Sequence, residues 1–206
     1  MIYKKFITFE GGEGSGKSTQ IKLLAKKIAE TSDIVLTREP GGTTSAEEIR
    51  KLLVRGKADK WSSISELLLL FAARKDHIDK LILPSLKSNK WVLCDRFSDS
   101  TYVYQGMCGI TPLDVIKKIE NLVIGQFKPK ITFLINIDPK IGIKRSKRPG
   151  NKELRYENMD IKFHNKVCKS YLKIASLNKR RIIMIDGSKT ILEIENQIWN
   201  KVKNKI

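Results

Sequence analysis

Short apolar runs alternate along this chain with longer segments in which apolar residues recur at helical spacing. The apolar runs predict strands at 6–9, 34–37, 91–94, 131–137 and 182–185. The helical spacing predicts helices at 17–30, 45–54, 64–86, 113–125, 141–147 and 191–203, and a further helix before the last strand. Short apolar strands joined by helical crossovers are typical of a parallel sheet with helices on both faces. The pattern therefore predicts an α/β fold with a central parallel sheet of about five strands.

One stretch interrupts this alternation. Residues 148–158 are polar and basic, and they follow the helix predicted at 141–147. A loop of this length inside a compact domain is uncommon unless it has a function of its own. We therefore expect an insertion at this point. No linker divides the rest of the chain, so we expect residues 1–206 to form a single domain.

A glycine-rich segment joins the first predicted strand to the first predicted helix. Residues 11–18 match the GxxxxGK[ST] phosphate-loop pattern in full, in the strand–loop–helix context that this pattern requires. Glycines let successive backbone N–H groups surround a phosphate, and the helix N-terminus adds partial positive charge. Lys17 can reach the β- and γ-phosphates, and the Ser18 hydroxyl can ligate Mg²⁺. The predicted nucleotide-binding residues are Gly11, Gly12, Glu13, Gly14, Ser15, Gly16, Lys17, Ser18 and Thr19. We expect this chain to bind a nucleoside triphosphate.

An acidic and a basic residue follow the predicted strand at 91–94. Asp95 comes at the carboxyl end of the sheet, where a second acidic residue would lie near the metal beside Ser18. Arg96 comes directly after it, and a guanidinium there suits a site that holds two phosphate groups. A surface Asp–Arg pair at a helix start is the alternative interpretation. The chain has no NKxD motif, which disfavours a GTPase.

The chain of 206 residues is strongly basic, with 40 Lys and Arg against 22 Asp and Glu and a formal net charge of +18. Such an excess suggests an anionic partner, such as nucleic acid, phosphate ligands or an acidic membrane. The lysines are spread along the whole chain, however, as a general compositional drift would produce. We therefore expect no specific nucleic-acid partner.

The cysteines and the apolar segments indicate the cellular compartment in which the protein is expected. The three cysteines are widely spaced and form no CxxC pair, which disfavours a disulfide framework or a zinc site and favours a reducing compartment. No apolar run approaches the length of a membrane span, and the apolar stretch at the N-terminus is too short for a signal peptide. We expect a cytoplasmic protein with no membrane partner.

Five stretches of the sequence together resemble the bacterial thymidylate kinases. They are FEGGEGSGKST at 9–19, TREPGGT at 37–43, AEEIR at 46–50, LLLLFAARKDHI at 67–78 and DRFSDSTYVYQG at 95–106. The phosphate loop is common to a superfamily, whereas the second and last stretches together are specific to this family. The resemblance covers essentially the whole chain. It implies a P-loop NTPase three-layer sandwich with a short lid at about 145–158.

The resemblance also implies an activity and an assembly. Members of the family phosphorylate dTMP to dTDP with ATP and Mg²⁺, for dTTP biosynthesis, and they form homodimers through helices. By similarity, Glu13 would face the acceptor sugar and its 3′-hydroxyl. Arg50 and Arg96 would hold the acceptor phosphate, a task that suits bidentate guanidinium contacts. Lys17 and Arg96 are also candidate catalytic residues, because Lys17 would supply positive charge at the transferring group and Arg96 would help to place the attacking oxygen in line.

The base and sugar contacts follow from the same resemblance. Phe71 would stack near the thymine ring, and Arg74 on the same helical face would donate to a base carbonyl. Relatives often place the stacking aromatic four residues before the arginine, where this chain has Leu70. Tyr104 would stand where a ribose 2′-hydroxyl would clash. The segment that would read the base edge and close over the deoxyribose comprises Ser100, Thr101, Tyr104 and Gln105.

Positive charge near the transferring phosphoryl group comes from two places in this family. Some members carry a basic residue in the phosphate loop, at the position of Gly14 here, and others supply arginines from the lid. Glycine predicts the second type, with three candidate lid arginines: Arg145, Arg148 and Arg155. The sequence around Arg155 departs from the family's Asp-Arg-x-Glu pattern, because the leading residue is Leu154.

Two other functions stay open at this point. One is a kinase for a different nucleoside monophosphate or for a deoxynucleoside. The other is a P-loop ATPase that nucleic acid stimulates through the basic surface. Turnover of a panel of acceptors would identify the first, and many-fold stimulation of ATP hydrolysis by DNA or RNA without dTMP turnover would identify the second.

Overall fold

A computed structural model describes residues 2–54, 60–146, 156 and 159–205. At its centre lies a five-stranded parallel sheet with the strand order β2-β3-β1-β4-β5. The strands are β1 (Ile2–Glu10), β2 (Ile34–Arg38), β3 (Trp91–Asp95), β4 (Lys128–Asn136) and β5 (Ile182–Asp186). The predicted α/β class and the five predicted strands are confirmed. β1 begins four residues earlier than predicted, because Ile2 and Tyr3 already pair with Lys128 and Pro129 of β4.

Helices flank the sheet. They are α1 (Lys17–Ala29), α2 (Thr44–Val54), α3 (Ser63–His77), α4 (Leu83–Lys87), α5 (Ser98–Thr101), α6 (Leu113–Val123), α7 (Pro139–Ser146), α8 (Ile161–Leu177) and α9 (Ile191–Val202). A π-helical turn, Ile78–Ile82, joins α3 to α4, so the long helix predicted at 64–86 is continuous but not uniform. Pro84 follows this turn; it has no N–H to continue the regular helical ladder.

The two faces of the sheet are covered by different helices. Ile7 and Phe9 pack against α1 and α9 on one face. Phe6 and Val92 pack on the other face against the π-helical turn and α4. Successive side chains of a strand point to opposite faces, so a strand buried on both sides must be apolar throughout. This explains the apolar run of β3 and the mostly apolar run at 6–9 in β1, where the one polar residue, Thr8, is hydrogen-bonded to Thr132.

The segment after β3 is helical, although no apolar period marks it. α5 covers Ser98–Thr101 and continues as a π-helical turn, Tyr102–Met107. Its polar side chains are paired inside the protein, Asp99 with Arg181 and Ser100 with Glu10. A helix fixed by buried polar partners carries no hydrophobic stripe, so its sequence does not show it.

The predicted lid at about 145–158 falls almost entirely outside the described residues. Of the three candidate lid arginines, Arg145 at the end of α7 is described, and Arg148 and Arg155 lie outside the described residues. Within the described ranges, no helix has both the length and the apolar character needed to cross a membrane.

Candidate active site at the carboxyl ends of the strands

The phosphate loop runs from the end of β1 to the start of α1. Gly14 and Gly16 adopt the left-handed conformation, which glycine takes without strain. A Cβ on Gly14 would also collide with the backbone of Gly142 in α7. The loop of this chain therefore has no room for a side chain at position 14, and this explains why the residue there is glycine.

Lys17 lies folded over this loop. Its Nζ donates to the carbonyl oxygens of Gly12 at 2.8 Å and Gly11 at 3.1 Å, and to Ser15 Oγ at 3.3 Å. Burial is the largest influence on its pKa, followed by the charge of Arg96, and both hold that pKa below the usual value. The charges of Asp95 and Glu13 oppose this lowering only in part, so an incoming phosphate would further favour the charged form of the ammonium.

A hydroxyl and a carboxylate meet beside the loop. The Ser18 hydroxyl, in the first turn of α1, donates to Asp95 Oδ2 at 2.9 Å. Asp95 is the last residue of β3 and pairs in register with Phe9 of β1, so the parallel ladder carries the carboxylate to the phosphate loop. The two residues predicted to hold a metal are therefore neighbours.

Arg96 connects the phosphate loop to the rest of the site. Its backbone is left-handed, with φ of 68°, and its N–H donates to Phe9 O at 2.9 Å. Its Nη2 donates to Glu13 Oε1 at 2.7 Å, and its Nη1 donates to Gly11 O at 3.0 Å. The guanidinium also lies over the ring of Tyr104, 5.1 Å from its centroid. A positive φ is uncommon in a bulky residue, so these contacts compensate a backbone cost of about 1 kcal/mol or more.

Glu13 accepts hydrogen bonds from two sides. Besides Arg96, the Tyr104 hydroxyl donates to its Oε1 at 3.1 Å. Burial pushes the pKa of Glu13 up, but the charges of Arg96 and Lys17 outweigh it and hold that pKa below its ordinary value. Glu13 is therefore an ionised acceptor, suited to receive a hydrogen bond from a sugar hydroxyl.

A cavity opens on the side of Glu13 away from the phosphate loop. Eight of the nine predicted acceptor-binding residues line it: Glu13, Arg50, Arg74, Arg96, Ser100, Thr101, Tyr104 and Gln105. It also contains residues that the sequence analysis did not assign, including Glu39, Glu66, Phe97 and Tyr156. We call this space the acceptor cavity. It is large enough to be entered by a small ligand and is lined by both apolar and charged side chains.

Phe71 is the ninth predicted residue, and the structure does not place it on this wall. Its side chain is 1% exposed and packs in the core against Leu67 and Ile116. Leu70, the neighbouring residue of α3, lines the cavity instead. Adjacent helical residues point about 100° apart, and the packing of α3 on α6 turns Phe71 inward. The expected stacking of Phe71 on the base is corrected accordingly: Phe71 lies behind the wall that Leu70 forms.

Arg74 projects from α3 into the same cavity wall. Its Nε donates to Glu39 Oε2 at 2.7 Å, and its Nη2 donates to Thr101 Oγ1 at 3.0 Å. Its Nη1 has no hydrogen-bond partner in the part of the chain that the structure describes. A buried donor without a partner costs free energy, so Nη1 is a donor that a ligand carbonyl would satisfy.

Three side chains close the far end of the acceptor cavity. Gln105 Nε2 donates to Glu66 Oε1 at 2.8 Å and to the Tyr156 hydroxyl at 3.1 Å, and that hydroxyl lies 3.3 Å from Glu66 Oε1. Of these three residues, only Gln105 was predicted from the sequence. Glu66 could have been found from its position, since a carboxylate on the buried face of a helix must have a polar partner.

A second cavity surrounds the phosphate loop. It is lined by the loop residues from Glu13 to Thr19, by Asp95 and Arg145, and by Lys189, Thr190 and Ile191 at the start of α9. Arg145 donates to Gly187 O at 3.3 Å, close to that helix. We call this space the nucleotide cavity. The two cavities share four lining residues: Glu13, Glu39, Arg50 and Arg96.

A phosphate loop that opens through a shared wall into a separate, partly apolar cavity defines a P-loop kinase for a small acceptor. The comparisons with known proteins agree. The family model described as Thymidylate kinase matches residues 9–198. A thymidylate kinase of Wolbachia pipientis is 46% identical over 204 residues, covering 98% of this chain and 99% of the relative. One from Caulobacter vibrioides is 45% identical over 183 residues, 88% of each chain.

The solved structures give the same result. The crystal structure of thymidylate kinase from Ehrlichia chaffeensis superposes with a TM-score of 0.78 at 36% sequence identity, covering 96% of this chain and 97% of that chain. The chain belongs to the thymidylate kinase family. It is a nucleoside monophosphate kinase with the P-loop NTPase fold, and ATP is its phosphoryl donor.

Proposed function

We propose that this protein transfers the γ-phosphoryl group of ATP to dTMP, and that the transfer takes place where the two cavities meet. The observation that carries the proposal is that Arg50 and Arg96 stand, with Glu13 and Glu39, in the wall that the two cavities share. A kinase must align two phosphates in line, and two guanidinium groups between the donor and acceptor spaces can do this. No general base is required, because the attacking phosphate oxygen of dTMP is already anionic.

Arginines would bind the acceptor phosphate. Arg96 is held by Glu13 and Gly11, and Arg50 donates to Pro40 O at 2.7 Å, so both guanidinium groups are directed before a ligand arrives. Fixed donors lose little conformational entropy on binding, which favours affinity for the phosphate.

The other acceptor residues would select the base and the sugar. Arg74 would donate through Nη1 to a base carbonyl, and the apolar side chain of Leu70 would face the thymine. Tyr104 is fixed by its hydrogen bond to Glu13 and its contact with Arg96, so its ring cannot move away from a ribose 2′-hydroxyl. Selection against ribonucleotides would come from that steric conflict.

The nucleotide cavity would hold ATP with Mg²⁺. Lys17 would release the loop carbonyls and bind the β- and γ-phosphates. The residues present fit Mg²⁺, because Ser18 Oγ and Asp95 Oδ2 are oxygen atoms of the kind that ligate this ion, and they lie 2.9 Å apart beside the loop. Bound there, Mg²⁺ would reduce the negative charge of the phosphates. Arg145, with Arg148 and Arg155 of the predicted lid, would add positive charge at the γ-phosphate.

We also infer a homodimer in the cytoplasm. Apolar side chains are exposed on the adjoining helices α3 and α6, namely Ile64, Leu68, Leu113 and Leu122. Exposed apolar side chains of this kind favour contact with a second copy of the chain. Light scattering should give the mass of a dimer, and Leu122→Lys should shift it towards the monomer. A wild-type monomer at micromolar concentration would contradict the dimer.

The experiment that tests the function is a coupled assay with ATP, Mg²⁺ and a panel of acceptors. We expect kcat/KM for dTMP to exceed that for dUMP by about 10- to 200-fold, the value of one methyl group in an apolar pocket. UMP, CMP and dGMP should be poorer still. A preference for CMP or dGMP would assign the chain to another kinase class. ATP hydrolysis that nucleic acid stimulates many-fold, without dTMP turnover, would instead favour a nucleic-acid-dependent ATPase.

A further inference from the structure

A cluster of hydrogen-bonded polar side chains lies behind Arg96, and two of its three members are buried outside both cavities. It consists of Glu10 at the end of β1, Ser100 in α5 and Tyr171 in α8. Glu10 is 1% exposed and Tyr171 is 2% exposed, and neither lines the acceptor or the nucleotide cavity. We propose that Glu10 and Tyr171 are positioning residues that orient Arg96 for the acceptor phosphate. The inference rests on the proposed function, in which Arg96 binds that phosphate.

Glu10 is surrounded by hydrogen-bond donors. Its Oε1 accepts from the backbone N–H groups of Phe97 at 2.8 Å and Ser100 at 3.3 Å. Its Oε2 accepts from the Ser100 hydroxyl at 2.6 Å and the Tyr171 hydroxyl at 3.0 Å. A carboxylate with this set of partners fixes the loop that carries Arg96 and the hydroxyl groups beside it.

The two hydroxyl groups also contact Arg96. Its Nη1 lies 3.0 Å from the Tyr171 hydroxyl and 3.3 Å from Ser100 Oγ. A hydroxyl has one hydrogen to donate, and a guanidinium can only donate. The two hydroxyls also lie 2.8 Å from each other. When both of their hydrogens go to Glu10, both oxygens are left as acceptors, and they share the Nη1 hydrogen of Arg96 that does not go to Gly11 O. The hydrogen bonds then run in one direction, from Arg96 through the hydroxyls to the carboxylate.

This direction depends on the ionised form of Glu10. A protonated Glu10 would have to donate its own hydrogen, and the nearest acceptors are the same two hydroxyls. One of them would then turn its hydrogen away from Glu10, and an oxygen that accepts from Glu10 has less capacity to accept from Arg96. Arg96 would lose part of its support, and its affinity for the acceptor phosphate would fall.

Charged and titratable groups face Glu10 from every element around it. They are Asp99 in α5, Cys94 in β3, Arg96 directly after β3, Tyr171 in α8, Arg181 before β5 and Lys17 in α1. Burial, followed by the negative charge of Asp99, raises the pKa of Glu10 to about 7, although Arg96 opposes this. The switch between the two hydrogen-bond directions thus falls near neutral pH.

Tyr171→Phe is the sharpest test, because it removes one oxygen and keeps the buried ring. We expect KM for dTMP to rise about tenfold, the value of one hydrogen bond to a charged group. KM for ATP should change less than twofold, because the phosphate loop does not contact this hydroxyl. The matched control is Tyr102→Phe, whose hydroxyl also donates to a carboxylate, Glu120 Oε2 at 2.8 Å, but lies away from Arg96. The control should bind dTMP as the wild type does.

A pH series separates positioning from a general structural role. The wild-type KM for dTMP should rise as the pH falls from 8 to 6, beyond the rise that titration of dTMP itself causes. In Glu10→Gln the side chain at position 10 cannot titrate. The KM of this variant for dTMP should therefore be high already at pH 8, and its change with pH should follow only the titration of dTMP. Comparing the two proteins removes the contribution of the substrate.

The outcomes are distinct. Wild-type protein that does not phosphorylate dTMP would overturn the proposed function and this inference together. An active wild type with an unchanged Tyr171→Phe variant would overturn the inference alone. Equal increases in KM for dTMP and ATP, or an equal effect of Tyr102→Phe, would also overturn it. If Glu10→Gln does not fold, the Tyr171→Phe kinetics and the wild-type pH series still decide between these results.

Discussion

Replacing Glu39 with Gln should destabilise the protein, because it removes the charge that compensates a buried guanidinium. The Arg74 and Glu39 side chains are each 3% exposed, and their hydrogen bond is 2.7 Å long. Glu39 also accepts from His77 Nδ1 at 3.1 Å. Removing one partner of a buried ion pair costs about 3–5 kcal/mol. Gln keeps one oxygen for Arg74, so we expect a loss near 3 kcal/mol.

The measurement is urea unfolding at pH 7, with the melting temperature as a second readout. For a chain of this length, a loss of 3 kcal/mol corresponds to a decrease of roughly 10 °C. Asp79→Asn is the control, because its ion pair with Lys75 is about half exposed on both sides and should contribute at most about 0.5 kcal/mol. A Glu39→Gln variant as stable as the control variant would refute the argument from buried charge.

The same pair predicts a pH dependence with a definite sign. Burial raises the pKa of Glu39, but Arg74 and His77 outweigh it, so that pKa lies below its ordinary value. A depressed carboxyl pKa contributes stability at neutral pH that is lost as the pH falls through the folded-state value. The difference between wild type and Glu39→Gln should therefore be constant near neutrality. It should shrink below about pH 4, where an unfolded Glu becomes protonated.

Three further predictions concern activity. Lys17→Ala should reduce kcat by about 10²–10³ while the variant stays folded, and near-normal turnover would contradict the phosphate-loop assignment. Leu70→Ala should reduce the preference for dTMP over dUMP with little loss of stability, whereas Phe71→Ala should cost about 3–5 kcal/mol of stability. If Phe71→Ala instead changed the preference and Leu70→Ala caused the larger loss of stability, Phe71 would be the residue that contacts the base. Tyr104→Ala should narrow the kcat/KM ratio of dUMP to UMP, and an unchanged ratio would exclude Tyr104 from sugar selection.

The sequence predicted the sheet because the apolar runs of β1 and β3 are buried on both faces and allow few alternatives. It also predicted the phosphate loop, whose residues are adjacent in the chain. It could not predict α5, since the polar residues of that helix are satisfied by Arg181 and Glu10, which are distant in sequence. The choice between Leu70 and Phe71 depends on how α3 rotates against α6, which tertiary packing decides.

The side chains that pair with the predicted site residues could not be predicted from the sequence either. Arg74 was assigned to the base, but its buried partner Glu39 was not, because nothing local joins α3 to the loop after β2. The same holds for Tyr171. It lies in a helix that was predicted from the sequence without bounds, and its hydroxyl contacts residues that precede it by 71 to 161 positions. Such pairings are set by topology.

The close approach of Gly14 and Gly142 restricts how this enzyme can change over evolutionary time. A Cβ on Gly14 would strike Gly142, and a Cβ on Gly142 would strike the carbonyl oxygen of Glu13. A lineage that moved its cationic charge from the lid into the phosphate loop would need α7 to shift first. Neither substitution is a neutral first step, so the two positions should change together or stay as glycine. Homologues with a basic residue at position 14 should therefore carry α7 in a displaced position.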